Sequence, residues 1–307
     1  MVEPLADTAP SASQIERVDI ACDAVGRVLA AQAPHFADLT VVELGRGWDN
    51  IVFLLGGEYV ARFPRHEAAA DLIRNEVRWV PELTLLSLLP TSAPIFAGAP
   101  SDDFPWPWMV SRRIDGVPPV SVGVVDSAEC ALRLARFCST FHAPAPADAP
   151  FNPFRSVSLD ARSDRLLRDL SAVLNADLPG LNIDPELIVH TWQGLISAPA
   201  FAGPPQWIHG DLHPGNLLHV GGHLTGVVDF GDLAAGDPAV DLAVAWYLFS
   251  AEQRETFFLQ AGEGDQAMRS RSRAWAMALS LAVLANHTLA PWLVEICGHA
   301  LVAATRG

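Results

Sequence analysis

The chain has 307 residues, half of them hydrophobic, and a formal net charge of −15 at pH 7. That length is sufficient for a large core and two lobes. The charge argues against a nucleic-acid partner, because proteins that bind nucleic acids are basic. It favours a cationic small-molecule partner, although acidity also serves solubility. No apolar run reaches the roughly 18 residues of a membrane span, so no membrane partner is expected.

The cysteines indicate a protein of a reducing compartment. Cys22, Cys130, Cys138 and Cys297 form no C-x-x-C pair, so neither a disulfide framework nor a metal cluster is predicted. Free thiols of this kind are typical of the cytoplasm. Residues 1–13 lack the basic and apolar segments of a signal peptide, and their Ala, Pro and Ser content predicts a floppy start.

Strands and tight turns open the folded part of the sequence. Apolar runs predict strands at residues 40–44, 51–55 and 58–63. Gly45 and Gly47 lie in the first connection, and a Gly-Gly pair forms the second, as in a hairpin. A plain β-meander has the same local pattern.

The rest of the chain is predominantly helical in its pattern, apart from an apolar strand that ends at the polar residues 111–116. Apolar spacing predicts helices at residues 67–83, 127–142, 159–174, 184–197, 237–249, 252–260, 268–287 and 291–304. Acidic side chains in and between these helices could line an acceptor cleft but are expected mostly on solvated faces, namely Asp160, Asp164, Asp169 and Asp177. Glu295, on the last helix, is a candidate contact for a substrate.

The candidate residues for catalysis and metal binding are Asp211, Asn216 and Asp229. Asp211 comes just before a Pro-Gly turn, Asn216 follows that turn, and Asp229 ends a later apolar strand. An aspartate so placed can accept a proton from a substrate hydroxyl, and an amide with a carboxylate can bind one metal ion. The order D-x-x-x-x-N and then D-F-G is typical of enzymes that transfer phosphoryl groups.

A predicted β-hairpin joins the two metal ligands. Its strands are at residues 217–220 and 224–228, and a Gly-Gly pair forms its turn. Antiparallel pairing places Asn216, at the start of the hairpin, beside Asp229 at its end. Hard oxygen ligands of this kind suit Mg²⁺, which is therefore the expected metal.

The blocks H-G-D-x-x-x-x-N at residues 209–216, D-F-G-D at 229–232 and D-P-x-x-D-L-A at 237–243 resemble the aminoglycoside phosphotransferase family, the antibiotic kinases that share the protein-kinase fold. The resemblance implies an α+β fold of two lobes. Residues 1–112 would form a small N-lobe with an antiparallel sheet and one helix. Residues 113–307 would form a mostly helical C-lobe with the catalytic loop, which Asp241 would hold by hydrogen bonds.

The resemblance also assigns residues to the nucleotide. Kinases hold the phosphates with a lysine that pairs with a helix glutamate, but this chain contains no lysine. Arg62, on the third strand, is expected to take that place and to pair with Glu76, because a guanidinium keeps the cation. Glu67 is the alternative partner, although a helix start favours an acid by its dipole alone. The loop at residues 45–50 would cover the phosphates.

The resulting prediction is a small-molecule kinase. It would move the γ-phosphoryl group of ATP or GTP to a hydroxyl of an antibiotic, an aminoglycoside or a macrolide, and the acceptor would be cationic. Asp211 would be the catalytic base, and a hinge that includes Ser111 and Arg113 would contact the nucleotide. The alternatives are a metabolic kinase for an amino sugar or amino alcohol, and a non-catalytic nucleotide-binding pseudokinase.

Overall fold

The computed structural model describes residues 17–121, 123–176, 178–262, 265–286 and 290–307. The floppy start predicted for residues 1–13, the acidic residue Asp177 and the end of the helix predicted at 268–287 lie outside the described residues.

The chain divides into two compact units. Of the described residues, the first unit comprises those up to Pro81 together with Ala93–Arg113, and the second comprises those in Glu82–Ser92 and Ile114–Gly307. The first unit is built on an antiparallel sheet and the second is mostly helical. The predicted α+β fold class is thereby confirmed.

The sheet of the first unit has the strand order β1-β2-β3-β5-β4, and every neighbouring pair is antiparallel. Its strands are β1 (Val41–Arg46), β2 (Asn50–Leu55), β3 (Tyr59–Pro64), β4 (Pro94–Gly98) and β5 (Trp108–Arg112). Gly56 and Gly57 join β2 to β3 with φ angles of 58° and 85°, which is the left-handed pair that a two-residue hairpin needs.

Aromatic rings fill the core beside this sheet. Phe63 of β3 stacks on Trp108 of β5 with ring planes 8° apart and centroids 5.0 Å apart, and it meets Phe104 edge-on. All three rings are buried, as are Val25 and Leu29 of the helix α1 (Cys22–Gln32). The helix α2 (Glu67–Leu83) has the bounds that its apolar spacing predicts.

The second unit collects the remaining helices. They are α3 (Ala128–Phe141), α4 (Ser163–Ala176), α5 (Pro185–Ile196), α6 (Ala239–Leu242), α7 (Val244–Leu248), α8 (Ala251–Gln260), α9 (Gln266–Ala285) and α10 (Pro291–Arg306). The helix α9 is central, since it contacts α4, α5, α6, α7 and α10. The side chain of Trp275, in the middle of α9, is fully buried. No described helix combines the length and the apolarity that crossing a membrane requires.

Two small antiparallel sheets interrupt these helices. In one, β6 (Gln206–Ile208) pairs with β9 (Ala234–Gly236), and in the other, β7 (Leu217–Val220) pairs with β8 (His223–Val227). The second pair is the hairpin that the Gly-Gly turn predicts. The strand β6 ends just before His209, and the hairpin begins just after Asn216 and ends shortly before Asp229. The two sheets therefore position the ends of the motif segments.

Some elements differ from the sequence prediction. The strands β4 and β9 lack a clear apolar alternation and were not predicted. The helix expected at residues 237–249 is divided into α6 and α7. The first turn is also shorter than residues 45–50, because β1 continues to Arg46 through an irregularity in its pairing and β2 begins at Asn50.

The packing around Trp108 gives a test of the core of the first unit. A Cβ added at Gly98 would lie 1.9 Å from the Trp108 ring, so we expect Gly98→Ala to lower the free energy of unfolding by about 1–3 kcal/mol through overpacking. Gly26→Ala is the control, because its added Cβ meets no atom within 4 Å beyond its chain neighbours and the backbone of its own helix, and alanine favours a helix by roughly 0.5–1 kcal/mol. Urea unfolding measures both. Equal stability of the two variants would contradict this packing.

Candidate active site

A buried aspartate holds the segment that leads to Asp211. The Asp241 carboxylate is fully buried and accepts hydrogen bonds from the main-chain N–H groups of His209 and Gly210, at 2.7 and 2.9 Å. His142, at the end of α3, lies 3.0 Å from the same carboxylate through its Nε2. The hydrogen bonds expected of Asp241 are therefore present, and His142 has a structural role beside it.

The glycine before Asp211 is required by space and by backbone conformation. Gly210 has a φ of 81°, and a Cβ at this position would lie 2.3 Å from the main-chain oxygen of Asp232. Any other residue would meet both a left-handed backbone and a steric clash. The H-G-D block thus has glycine for a local reason.

Both carboxylate oxygens of Asp211 are engaged. Arg155 donates from Nη2 to Oδ1 at 3.2 Å and from Nε to the main-chain oxygen of Gly210 at 2.6 Å. Asn216 donates to Oδ2 at 3.3 Å, and His213 Nε2 lies 3.4 Å from the same oxygen. The carboxylate is thus fixed from two sides.

These partners decide the charge of Asp211. Burial opposes ionisation, but the nearby charges of His213, Arg155 and His209 outweigh it and hold the pKa of Asp211 well below its usual range. Burial likewise opposes a charged His213, yet the Asp211 charge raises the pKa of that imidazole. Asp211 is therefore a carboxylate at neutral pH.

Sequence reasoning missed Arg155. It lies in the irregular segment between α3 and α4, far along the chain from Asp211, and no local pattern marks it. A partly buried carboxylate that must stay ionised needs a cation nearby. This general requirement is the one signal that could have prompted a search for an arginine partner of Asp211.

The β7–β8 hairpin brings Asn216 and Asp229 together. Val228 N–H donates to the main-chain oxygen of Asn216 at 2.9 Å, which continues the pairing of Leu217 with Val227. The amide nitrogen of Asn216 is engaged by the main-chain oxygen of Asp211 at 2.9 Å. Its amide oxygen is the atom that a hard cation would need.

Asp229 has an unusual backbone. Its φ of 62° is the only positive value at a non-glycine position among the described residues, and such conformations persist where a site requires them. Its N–H donates to Ser92 Oγ at 3.3 Å. In the described part of the chain no three His, Cys, Asp or Glu side chains form a metal cluster. An ion held by Asn216 and Asp229 would need further oxygen ligands, as Mg²⁺ bound to phosphates and water has.

A second aspartate follows the D-F-G block. Asp232 accepts a hydrogen bond from Asn152 Nδ2 at 2.6 Å. Burial, together with the negative charge of Asp211, raises its pKa. Asn152 lies in the same irregular segment as Arg155, so this segment touches the motif at two places.

In the first unit, the predicted ion pair is present. Arg62 Nη1 lies 2.7 Å from Glu76 Oε2, with both side chains buried. Arg62 is in the middle of the sheet, between Val52 of β2 and Met109 of β5. Glu67 is exposed at the first turn of α2, so the alternative pairing is not formed.

The other predicted nucleotide contacts are placed as follows. Gly45 lies within β1, and Gly47 starts the short turn, where its N–H donates to the main-chain oxygen of Asn50 at 2.8 Å. Ser111 is a buried residue of β5, one position before the end of the strand. Arg113, just after β5, donates from its main-chain N–H to the Glu58 oxygen at 2.8 Å.

The sequence profile of the phosphotransferase enzyme family matches residues 40–275. The chain belongs to this family. The match includes parts of both units and the predicted catalytic, nucleotide and metal residues, whereas Glu295 lies beyond it. The prediction that the protein is a phosphotransferase is confirmed. No curated protein matches this phosphotransferase in sequence.

Solved structures similar to this phosphotransferase include antibiotic kinases. The GDP complex of wild-type aminoglycoside 2'-phosphotransferase-IIIa has a TM-score of 0.67 and 21% identity, with 94% of this chain and 99% of that chain covered. The GDP and kanamycin complex of APH(2")-IIIa has a TM-score of 0.66 and 21% identity, with 92% and 99% covered. The apoenzyme of macrolide 2'-phosphotransferase MphH from Brachybacterium faecium has a TM-score of 0.59 and 20% identity, with 91% and 97% covered.

The Asp241 carboxylate gives a test of what positions the segment that leads to Asp211. Asp241→Asn removes the charge and turns an amide N–H₂ toward main-chain donors, so we expect a loss of unfolding free energy on the order of 3 kcal/mol and a slower transfer rate. Asp164→Asn, at an exposed position of α4, is the control. Urea unfolding and a transfer assay measure the effects. A fully active, fully stable Asp241→Asn would show that these hydrogen bonds do not position the segment.

Proposed function

We propose that this phosphotransferase moves the γ-phosphoryl group of ATP or GTP to a hydroxyl of an antibiotic, an aminoglycoside or a macrolide. The observation that carries the proposal is the arrangement around Asp211. An ionised carboxylate lies within hydrogen-bond distance of Asn216, and the β7–β8 hairpin holds Asn216 next to Asp229. The structures with GDP, with kanamycin and of a macrolide kinase support the class of substrates.

Asp211 orients the acceptor hydroxyl and accepts its proton. The acceptor oxygen forms a bond to the γ-phosphorus, and the bond from that phosphorus to the bridging oxygen of the β-phosphate breaks, which leaves a nucleoside diphosphate. Because its pKa is lowered, Asp211 is a weak base, so proton transfer is favourable only once the hydroxyl oxygen has begun to bond to phosphorus. This order suits the loose transition state of phosphoryl transfer, in which orientation contributes more than proton abstraction.

Asn216 and Asp229 are the residues of the second unit that would hold Mg²⁺. Their donor set of one amide oxygen and one carboxylate suits a cation that keeps phosphate and water ligands. The ion would neutralise charge on the phosphate oxygens. In the first unit, Arg62 would bind phosphate oxygens through its guanidinium.

The role of Asp211 is tested by its removal. Asp211→Ala and the isosteric Asp211→Asn should lower kcat by about a hundredfold or more, because orientation and proton acceptance are lost, while nucleotide affinity changes little. Steady-state kinetics and calorimetric nucleotide titration measure the two effects. If both variants retain more than a few per cent of wild-type kcat, another group serves as the base.

The role of Asp229 in metal binding is tested by Asp229→Asn. Asparagine tolerates the left-handed backbone of this position, so the variant should fold, but the loss of charge should weaken nucleotide binding only when Mg²⁺ is present. Asn216→Ala should have a smaller effect of the same kind. The exposed Glu186→Gln of α5 is the control. Calorimetry at several Mg²⁺ concentrations measures the binding, and a metal-independent result for Asp229→Asn would remove it from the metal site.

The role of Arg62 is tested by comparing two substitutions. Arg62→Ala should raise the nucleotide KM, lower kcat and cost about 3–5 kcal/mol of stability, because Glu76 would be left as a buried charge. Arg62→Lys should keep most of the activity, since an ammonium also reaches phosphate oxygens, although it lacks the paired donors with which a guanidinium binds two oxygens at once. Arg74→Ala, on the exposed face of α2, is the control. An unchanged nucleotide KM in Arg62→Ala would contradict the assignment.

A further inference from the structure

A cavity of about 160 Å³ lies directly beside Asp211 in the second unit. It is a space next to the proposed base, so a group that carries the acceptor hydroxyl to Asp211 can enter it. Most of its wall is apolar and comes from the helices α7, α9 and α10, with Tyr247, Leu279, Val283 and Leu293 among the residues that line it.

The polar side chains that the helices contribute to this wall carry no charge. The Tyr247 hydroxyl is buried and lies 3.4 Å from both the Ala276 oxygen and Ser280 Oγ of α9. Burial, with the nearby charge of Asp211, raises the pKa of the Cys297 thiol to about 12, so that thiol is neutral. The inner surface offers little to a strongly hydrated ammonium group, whose desolvation is costly without a partner.

Among the described residues that line the cavity, Asp211 is the one carboxylate, and it is paired with a cation. Arg155 lines the same cavity and donates to Asp211 Oδ1 at 3.2 Å. His213 lines it as well. The cavity therefore presents one acid beside two basic side chains, which is the opposite of what a polycation needs.

The acidic residues that the sequence offered as acceptor contacts lie elsewhere. Glu295 of α10 lines a different cavity, together with Leu181 and His299. Asp160 lines a third cavity, and Asp169 is buried and bound to Arg165 at 2.9 Å instead of being solvated. The high net negative charge of the chain is thus not concentrated in the described wall beside Asp211.

We propose that the cavity beside Asp211 takes a hydroxyl carried on a largely apolar scaffold with few positive charges, and that Arg155 is a specificity-determining and positioning residue there. This inference rests on the proposed function, since it concerns the acceptor of the same reaction. Arg155 fixes Asp211 with one part of its guanidinium, and its charge disfavours acceptors that bring several ammonium groups. Of the two antibiotic classes, the macrolide fits this chemistry and the aminoglycoside does not.

The experiment compares a macrolide with kanamycin as acceptors for the full chain, at saturating nucleotide. We expect kcat/KM for the macrolide to exceed that for kanamycin by about 100-fold or more, because like charges brought together in a partly desolvated site are strongly disfavoured. Equal or better use of kanamycin by the wild-type protein would overturn the inference and leave the proposed function intact.

Three variants then test Arg155 itself. In Arg155→Met the ratio of kcat/KM for kanamycin to that for the macrolide should rise by about tenfold or more, as one full charge is removed. In Arg155→Lys the ratio should stay as in the wild type while kcat falls for both acceptors, because the charge is kept and the fork is lost. Arg136→Met, which removes an exposed arginine of α3 that lines none of these cavities, should change nothing.

A ratio measured on one protein sample is insensitive to partial unfolding, so a merely structural Arg155 would lower both rates and leave the ratio unchanged. That result would overturn its role in specificity. Calorimetric nucleotide binding is measured in parallel. If neither antibiotic is phosphorylated while nucleotide still binds and is hydrolysed, the inference about the acceptor is wrong. If nucleotide neither binds nor is hydrolysed, the proposed function itself fails.

Discussion

The segment that leads to Asp211 depends on one buried carboxylate, that of Asp241. Asp241 accepts two main-chain hydrogen bonds from the residues before Asp211, and His142, just after α3, lies 3.0 Å from one of the same two oxygens. A fully buried charge is costly unless every lone pair finds a donor. The helix α6, the end of α3 and the segment after β6 must therefore come together for any of them to be stable. These hydrogen bonds fix the main chain of His209 and Gly210, and Asp211, the next residue, contacts Arg155 and Asn216.

Local rules were sufficient for much of the fold and for the motif. The Gly-Gly turns at residues 56–57 and 221–222 have the positive φ angles that a two-residue hairpin needs, so both hairpins could be predicted. The apolar spacing of α2 and α3 likewise fixed their bounds to within a residue or two. The juxtaposition of Asn216 and Asp229 then followed from antiparallel pairing alone.

Other features depend on residues far apart in the chain, and the sequence could not show them. The strand β4 exists because β5 offers it a partner, not because its own residues alternate. Arg155 and Asn152 belong to an irregular segment whose shape no periodicity encodes, and yet they contact Asp211 and Asp232. Composition alone could not distinguish the acidic residues of the helices from one another. In the structure Asp169 is buried against Arg165, and Glu295 lines a cavity away from Asp211.

The absence of lysine has a consequence for chemical probing. Nucleotide analogues that acylate a side-chain amine are common reagents for kinases, and in this protein they would find no amine on any side chain. The cation at Arg62 is a guanidinium paired with Glu76, which stays protonated at any pH the protein would meet. Reagents such as dicarbonyls, which condense with guanidinium groups, are thus the appropriate covalent probes. The charge of the Arg62 guanidinium cannot be removed by lysine acetylation or by a rise in pH.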